Sequence, residues 1–151
     1  MPTPLTPAQH SLQQYFQLFQ QRSSHTTPLT PEQIQAIVAP DILFKDPFQQ
    51  INGPQAFCQM LNHFHQQVQQ PCFQIEQQLS QDQQLWLVKW QFTGQLKSLG
   101  AWQFSGISEI TLNAQGQVQR HIDYWDAAEH FYEKLPFLGR VLRWVKGKVA
   151  Q

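Results

Sequence analysis

The sequence is poor in charge. Only 13% of its 151 residues are Asp, Glu, Lys or Arg, and ten cations balance ten carboxylates to a formal net charge of zero. With no global field to attract a polyanion, nucleic acid is not an expected partner. Cysteine is scarce as well: Cys58 and Cys72 sit in apolar surroundings and form no close pair. That excludes a disulfide framework and a cysteine-built site, and it predicts buried, reduced thiols. No apolar run approaches the ~18 residues that mark a membrane span. Proline and threonine occupy the N-terminus where a secretory leader would be basic and then apolar. A cytoplasmic location is the expectation. The chain also lacks a glycine-rich phosphate loop and a nucleophile elbow, and no cofactor is expected. His63-x-His65 does not amend this, because residues two apart on a helix do not share a face, so no metal site is expected.

Glutamine is unusually common, but it is interleaved with apolar residues and acts as an uncharged surface residue rather than a low-complexity tract. A chain of this length makes one domain able to bury roughly 70% of its unfolded surface. Apolar spacing predicts a first helix over residues 8–21, with Leu12, Tyr15, Phe16, Leu18 and Phe19 inward, closed by the polar stretch 23–30. Thr30-Pro31-Glu32-Gln33 has the spacing of a capping box and starts a second helix, with Ile34, Ile37 and Val38 inward and Pro40 as its end. A third helix is expected over 54–68. Then the period changes to two, over 72–79, 84–95, 100–112 and 117–125, with turn signals between the runs. This reads as an antiparallel meander whose last turn needs positive φ at Gly116. Asp126 is placed to cap a helix over 127–135, and a basic amphipathic helix follows over 137–149. The fold class is α+β: a strongly curved mixed or antiparallel sheet wrapped around N-terminal helices. The expected domain covers 8–135, and 136–151 forms a C-terminal helical extension.

Ile42-Leu43-Phe44-Lys45-Asp46-Pro47-Phe48 organises the rest. Pro47 forces Asp46 into extended backbone and withholds the next N–H, so the strand stops there. Asn52-Gly53-Pro54 then turns the chain into the third helix. An aspartate at a strand end between two phenylalanines is poorly solvated and a candidate base; the other reading is a turn-capping side chain.

With its helices first, a meander next and Phe44-Lys45-Asp46-Pro47-Phe48 ahead of Gly53 and a helix carrying Phe57, the chain resembles the nuclear-transport-factor-2-like superfamily over about residues 8–130. The closing strand, from Gly116-Gln117-Val118 to Tyr124-Trp125, belongs to the same pattern. The superfamily includes ketosteroid isomerases, SnoaL-like polyketide cyclases and limonene epoxide hydrolases, along with binding modules and scaffolds. The resemblance implies a cone-shaped fold, a pocket for a small hydrophobic molecule and a homodimer. It matches Asp46 to the general base of ketosteroid isomerases and Tyr15 to their oxyanion-donating tyrosine. Ser108 stands where those enzymes have a protonated aspartate.

Strand alternation places His121, Asp123 and Trp125 on one face of the closing strand, the pocket face by the resemblance, and Val118, Arg120, Ile122 and Tyr124 on the other. His121 and Asp123, ~7 Å apart along the strand, would join Asp46 in an acid–base assembly suited to proton abstraction beside a carbonyl or to activating water. The alternative is a satisfied buried His–Asp pair. Trp86, Trp90, Trp102 and Phe104 are either core or ligand walls, and Phe57, Ser108 and Trp125 complete the candidate ligand contacts. Lys89 either pairs with an acid or faces outward. The apolar residues of the tail accompany Arg140, Arg143, Lys146 and Lys148. Packing on the domain, or closing the pocket with the basic side in water, is preferred over contact with a membrane. The functional expectation is cofactor-independent isomerase, cyclase or hydrolase chemistry on a polyketide-, steroid- or lipid-like molecule. A non-catalytic ligand-binding module and a dimeric scaffold are the alternatives.

Overall fold

The structure is a computed structural model that describes residues 3–20 and 27–150. Part of the polar stretch expected to close the first helix lies outside the described residues. Helix α1 (Pro7–Gln17) starts one residue early because Thr6 and Gln9 form a reciprocal cap, with Pro7 as the first helical residue. Leu12, Tyr15 and Phe16 point into the core, and Phe19 follows them from the turn after the helix.

The second helix is shorter than the spacing suggests. Gln33 accepts from the Thr30 N–H, as the capping box requires, but α2 (Pro31–Ile34) makes a single turn. Strand β1 (Val38–Lys45) then begins, with Pro40 inside it and not at a helix end. Ile37 and Val38 fit either period. Pairing decides: the Ile37 carbonyl accepts from Val118 N–H, and β1 runs parallel to β6 (Val118–Tyr124). Pro40 is accommodated where the β1–β6 register shifts, between Val38 and Leu43, at a gap in the ladder that demands no N–H.

After Asp46 the chain turns back at once into β2 (Gln50–Asn52), a short antiparallel partner of β1 that the sequence reading does not contain. Gly53, at φ +84°, leads into α3 (Pro54–Gln67). Strands β3 (Val68–Ser80), β4 (Leu85–Leu96) and β5 (Gly100–Leu112) follow, near the expected bounds. Gly116 has φ +77° in the turn before β6. The sheet order is β2-β1-β6-β5-β4-β3, parallel only at β1–β6. This six-stranded mixed sheet is not closed, and the helices pack on one face: the expected α+β cone.

Three local expectations are corrected. A register shift between Leu112 and Thr111 against β6 inserts an extra residue near Gln119, so Val118 joins His121 on the inner face and is fully buried. Cys58 is buried, but Cys72, on β3, is exposed; both thiols are free. The helix expected over 127–135 splits into α4 (Ala127–His130), capped by Asp126, and a 3-10 turn (Tyr132–Lys134). Lys89 lies on the outer sheet face, 3.1 Å from Glu76.

The C-terminal helix α5 (Leu138–Val149) also departs from expectation. It packs chiefly on the 3-10 turn with its basic side chains in water, as expected, but most of its apolar side chains are exposed as well. It contributes no residue to the cavity described next. No helix among the described residues is long and apolar enough to cross a membrane.

Candidate functional site

Between α3 and the inner face of the sheet lies a partly open cavity of about 460 Å³, within the size range of small-molecule sites. Its wall is aromatic. Strand alternation sends Trp90 and Phe92 inward from β4, and Trp102 and Phe104 from β5, and Phe73, Trp125 and Phe131 add to them. The rings pack edge-to-face or tilted, as Trp90–Phe104 does at 5.7 Å between centroids; Phe104 and Trp125 instead stack at 4.3 Å. Helix α3 supplies Gln59, Met60, His63, Phe64 and Gln67, a stripe at helical spacing. Among the described residues the lining contains two carboxylates, Asp46 and Asp123, and no Lys or Arg.

Asp46 occupies the turn between β1 and β2. Its Oδ1 accepts from the backbone N–H of Phe48 at 2.8 Å and of Gln49 at 3.0 Å, so it does cap a turn. It also borders the cavity, and burial pushes its carboxyl above the ordinary value of 3.8, the charge of Asp123 adding to the effect while the turn's N–H groups oppose it. Turn-capping and a place in the cavity wall are therefore not alternatives in this fold. Phe44 beside it is buried, whereas Phe48 is largely exposed.

Behind Asp123 lies a buried relay. His121 is 2% exposed, and its Nε2 is 2.6 Å from Asp123 Oδ1 and 3.1 Å from Ser108 Oγ. Its Nδ1 is 2.7 Å from the hydroxyl of Tyr15, which has no exposure. Trp90 Nε1–H, a donor only, binds Ser108 Oγ at 2.8 Å, and the Ser108 hydroxyl donates to Asp123 Oδ1. One assignment satisfies every partner. Tyr15 O–H donates to Nδ1, the imidazole carries its hydrogen on Nε2, and the donors end on Asp123. Burial, with Asp123 second, holds the Tyr15 hydroxyl well above its usual value, so it stays protonated. Phe44, Phe19 and Phe16 surround the imidazole at 4.9, 5.9 and 6.4 Å between centroids.

The structure thus divides the candidate residues in two. Asp46, Asp123, Trp90, Trp102, Phe104 and Trp125 line the cavity. Tyr15, His121, Ser108 and Phe57 lie behind the wall. Tyr15 does not present its hydroxyl to the cavity, because His121 takes it; Ser108 is likewise engaged on both sides, and Phe57 is core, stacked on Tyr15 at 5.9 Å. Trp86 is core as well, and lies outside the lining. His63, Gln59 and Gln67 were missed; their stripe on α3, alongside Met60 and Phe64, is the signal that could have found them. Among the described residues no group of three or more His, Cys, Asp or Glu is arranged to hold a metal ion.

Comparison with known proteins agrees with this fold. The sequence profile of the SnoaL-like domain matches residues 12–121. Among solved structures, an NTF2-like protein of unknown function from Burkholderia pseudomallei aligns over 83% of this chain and 95% of its own, at 11% identity and a TM-score of 0.68. An NTF2-like protein of unknown function from Exiguobacterium aligns over 77% and 98%, at 19% identity and 0.64. A steroid delta-isomerase from Pseudomonas aeruginosa aligns over 99% and 100%, at 17% identity and 0.59. At these identities the structures establish the fold alone. No curated protein matches the chain in sequence.

Proposed function

The chain belongs to the SnoaL-like domain family, and from that premise and the cavity we propose that it takes up a small apolar molecule and moves a proton on it, with Asp46 as the acid–base group. One observation carries this reading: a partly buried carboxyl, raised above its ordinary value, borders an aromatic cavity whose described lining has no Lys or Arg. Both turn bonds fall on Oδ1, which fixes the carboxylate and leaves Oδ2 for the ligand. Asp123, held by His121 and Ser108, is the second polar group a substrate meets, and it orients a donor on the ligand or a water molecule. His121 and Tyr15 are positioning residues. Trp90, Trp102, Phe104 and Trp125 supply the apolar walls for a polyketide-, steroid- or lipid-like molecule.

The test is hydrogen–deuterium exchange at the carbon beside the carbonyl of an apolar cyclic ketone, followed by NMR. Asp46→Asn should lower the exchange rate by about 10²–10⁴-fold and leave ketone binding intact. Undiminished exchange in that variant refutes the assignment.

A second reading is favoured by one specific feature: the hydroxyls of Tyr15 and Ser108, the expected oxyanion donors, are committed inside the wall. On that reading the cavity holds a ligand without transforming it. Binding by the unaltered protein with no exchange above the solution rate would select it. The outer sheet face carries Leu79, Leu87, Ile107 and Tyr124, each substantially exposed, and a second copy of the chain is its proposed occupant. Sedimentation equilibrium distinguishes monomer from dimer, and Leu87→Glu should return a dimer to monomer.

A further inference from the structure

The C-terminal helix is mounted with its apolar side outward. Along α5, Leu138, Val141, Leu142, Val145 and Val149 recur at helical spacing and form one stripe. In a helix that stabilises its own domain this stripe would be covered. Here Val141 is 43% exposed, Val145 44%, Trp144 65% and Val149 81%, and Phe137 just before the helix is 81% exposed. The side that meets the domain is the other one. Gly139 is buried so closely against the 3-10 turn that a methyl group there would collide with the Glu133 carbonyl. Arg143 Nη1 donates to that carbonyl at 3.2 Å, and Lys146 Nζ lies 2.7 Å from the Glu133 carboxylate. Glycine and two cations fasten the helix, and its apolar stripe, apart from the half-buried Leu142, is left to solvent.

Charge identifies what would cover it. Residues 138–149 contain Arg140, Arg143, Lys146 and Lys148 and no acid, so in a chain of net charge zero the remainder carries the balancing negative charge. Glu133 compensates Lys146, which leaves three cations without an acidic partner on the helix. Lys148 extends over Trp144, 5.7 Å from the ring centroid, so a cation lies beside the most exposed aromatic of the helix. Two such helices facing each other would bring like charges together. A surface that offers apolar depth and negative charge at once suits both features. We propose that α5 lies on an anionic lipid bilayer, with Trp144 and the valine stripe at the headgroup–acyl boundary and Arg140 and Lys148 among the phosphates. The helix is too short and too charged to span one. Phe131, in the cavity wall, is joined to α5 by the 3-10 turn and the three residues after it, so docking holds that end of the cavity near the lipid surface.

The test is flotation of the full chain with phosphatidylserine–phosphatidylcholine vesicles and with pure phosphatidylcholine vesicles. Binding should require phosphatidylserine and weaken as salt is raised. Arg140→Gln with Lys148→Gln should weaken it roughly thirtyfold, about fivefold per cation removed. Trp144→Ser with Val145→Ser should also abolish flotation; all four positions are exposed, and circular dichroism confirms that the fold persists. Three results overturn the proposal: no flotation with the anionic vesicles, equal flotation of the doubly neutralised variant, or a dimer in sedimentation that Val141→Ser with Val145→Ser converts to monomer.

Discussion

Replacing Tyr15 by Phe removes one oxygen atom from a fully buried side chain and tests the relay directly. The ring keeps its neighbours, with Phe19 at 5.6 Å, Phe57 at 5.9 Å and Phe16 at 6.0 Å between centroids, so no apolar contact is lost and no cavity wider than a hydroxyl opens. What disappears is the donor to His121 Nδ1, a nitrogen that water does not reach. Neither rearrangement of the imidazole repairs this. Moving the hydrogen to Nδ1 strands it without an acceptor and deprives Asp123 of one of its two donors, and protonating both nitrogens leaves the Nδ1 hydrogen unpaired. An orphaned buried polar group costs about 1–3 kcal/mol, and a domain of this size loses about 2–4 °C per kcal/mol. Tyr15→Phe should therefore melt roughly 2–12 °C lower. In urea the midpoint should fall at unchanged slope, because the surface exposed on unfolding is the same. Proton exchange on an apolar ketone should survive within about tenfold, since the hydroxyl does not touch the ligand; removing an oxyanion donor would cost about 10²–10³. A variant as stable as the unaltered protein but depressed in exchange by that larger factor refutes the reasoning. It would mean that the hydroxyl turns from His121 to the substrate.

Other outcomes follow from the same contacts. Gly106 lies under the Trp90 indole on the neighbouring strand, where an added Cβ would stand 2.6 Å from Cζ2; Gly106→Ala should destabilise by about 1–3 kcal/mol through overpacking and alter the near-ultraviolet dichroism of the displaced indole. Ser108→Ala strands Trp90 Nε1–H, which should cost about 1–3 kcal/mol in urea unfolding, an effect that Trp90→Phe in the same chain should largely remove. Because the folded protein holds the Asp46 proton more tightly than the unfolded chain does, this group's contribution to stability is complete below the unfolded value and is lost as pH rises through the folded one. Unfolding measured against pH should therefore show Asp46→Asn gaining on the unaltered protein above the ordinary carboxyl range. Exchange, which needs the ionised base, should fall off on the acid side at a pH above 3.8 in the unaltered protein, and Asp46→Asn should lack that limb.

The sequence made the later strands legible because their inward positions alternate without interruption. Trp86, Val88, Trp90 and Phe92 on β4, and Trp102 and Phe104 on β5, are buried as a period of two requires. Capping chemistry located the start of α2, since Thr30 has a proline next and a glutamine three residues on; the same pattern at Thr6 starts α1, which apolar spacing alone places one residue late. Ends were harder to read. Ile34, Ile37 and Val38 satisfy a helical face, but β-branched residues serve a strand equally well, and the partner that claims Val38 lies 80 positions along the chain at Val118. A bulge is invisible for a related reason: it changes the side that a residue faces without changing the residue, as at Val118. The orientation of α5 could not be read either, since amphipathic spacing shows that a stripe exists and not which side the domain will cover.

The site shows where residue-by-residue inference stops. Sequence placed Asp46 at a strand end, His121 and Asp123 on one face, and Tyr15 on the inner side of the first helix, and the structure has all four there. What no pattern conveys is depth. His121 belongs to a strand face that borders the cavity, yet Phe16, Phe19 and Phe44 close around it, and on this strand the cavity lining begins two residues further on, at Asp123. A tyrosine bonded to a buried imidazole then has no hydrogen left for a substrate, so its work passes through His121 to Asp123. The two carboxylates of the cavity lining are therefore held in different ways. Asp46 is fixed by backbone N–H groups of its own turn, a support that side-chain substitution elsewhere leaves in place. Asp123 is fixed by Ser108 from β5 and His121 from β6, and His121 in turn by Tyr15 from α1, so its geometry depends on all three. Changes in the relay should consequently alter how a ligand is held at Asp123, and changes in the turn should alter whether a proton moves at Asp46.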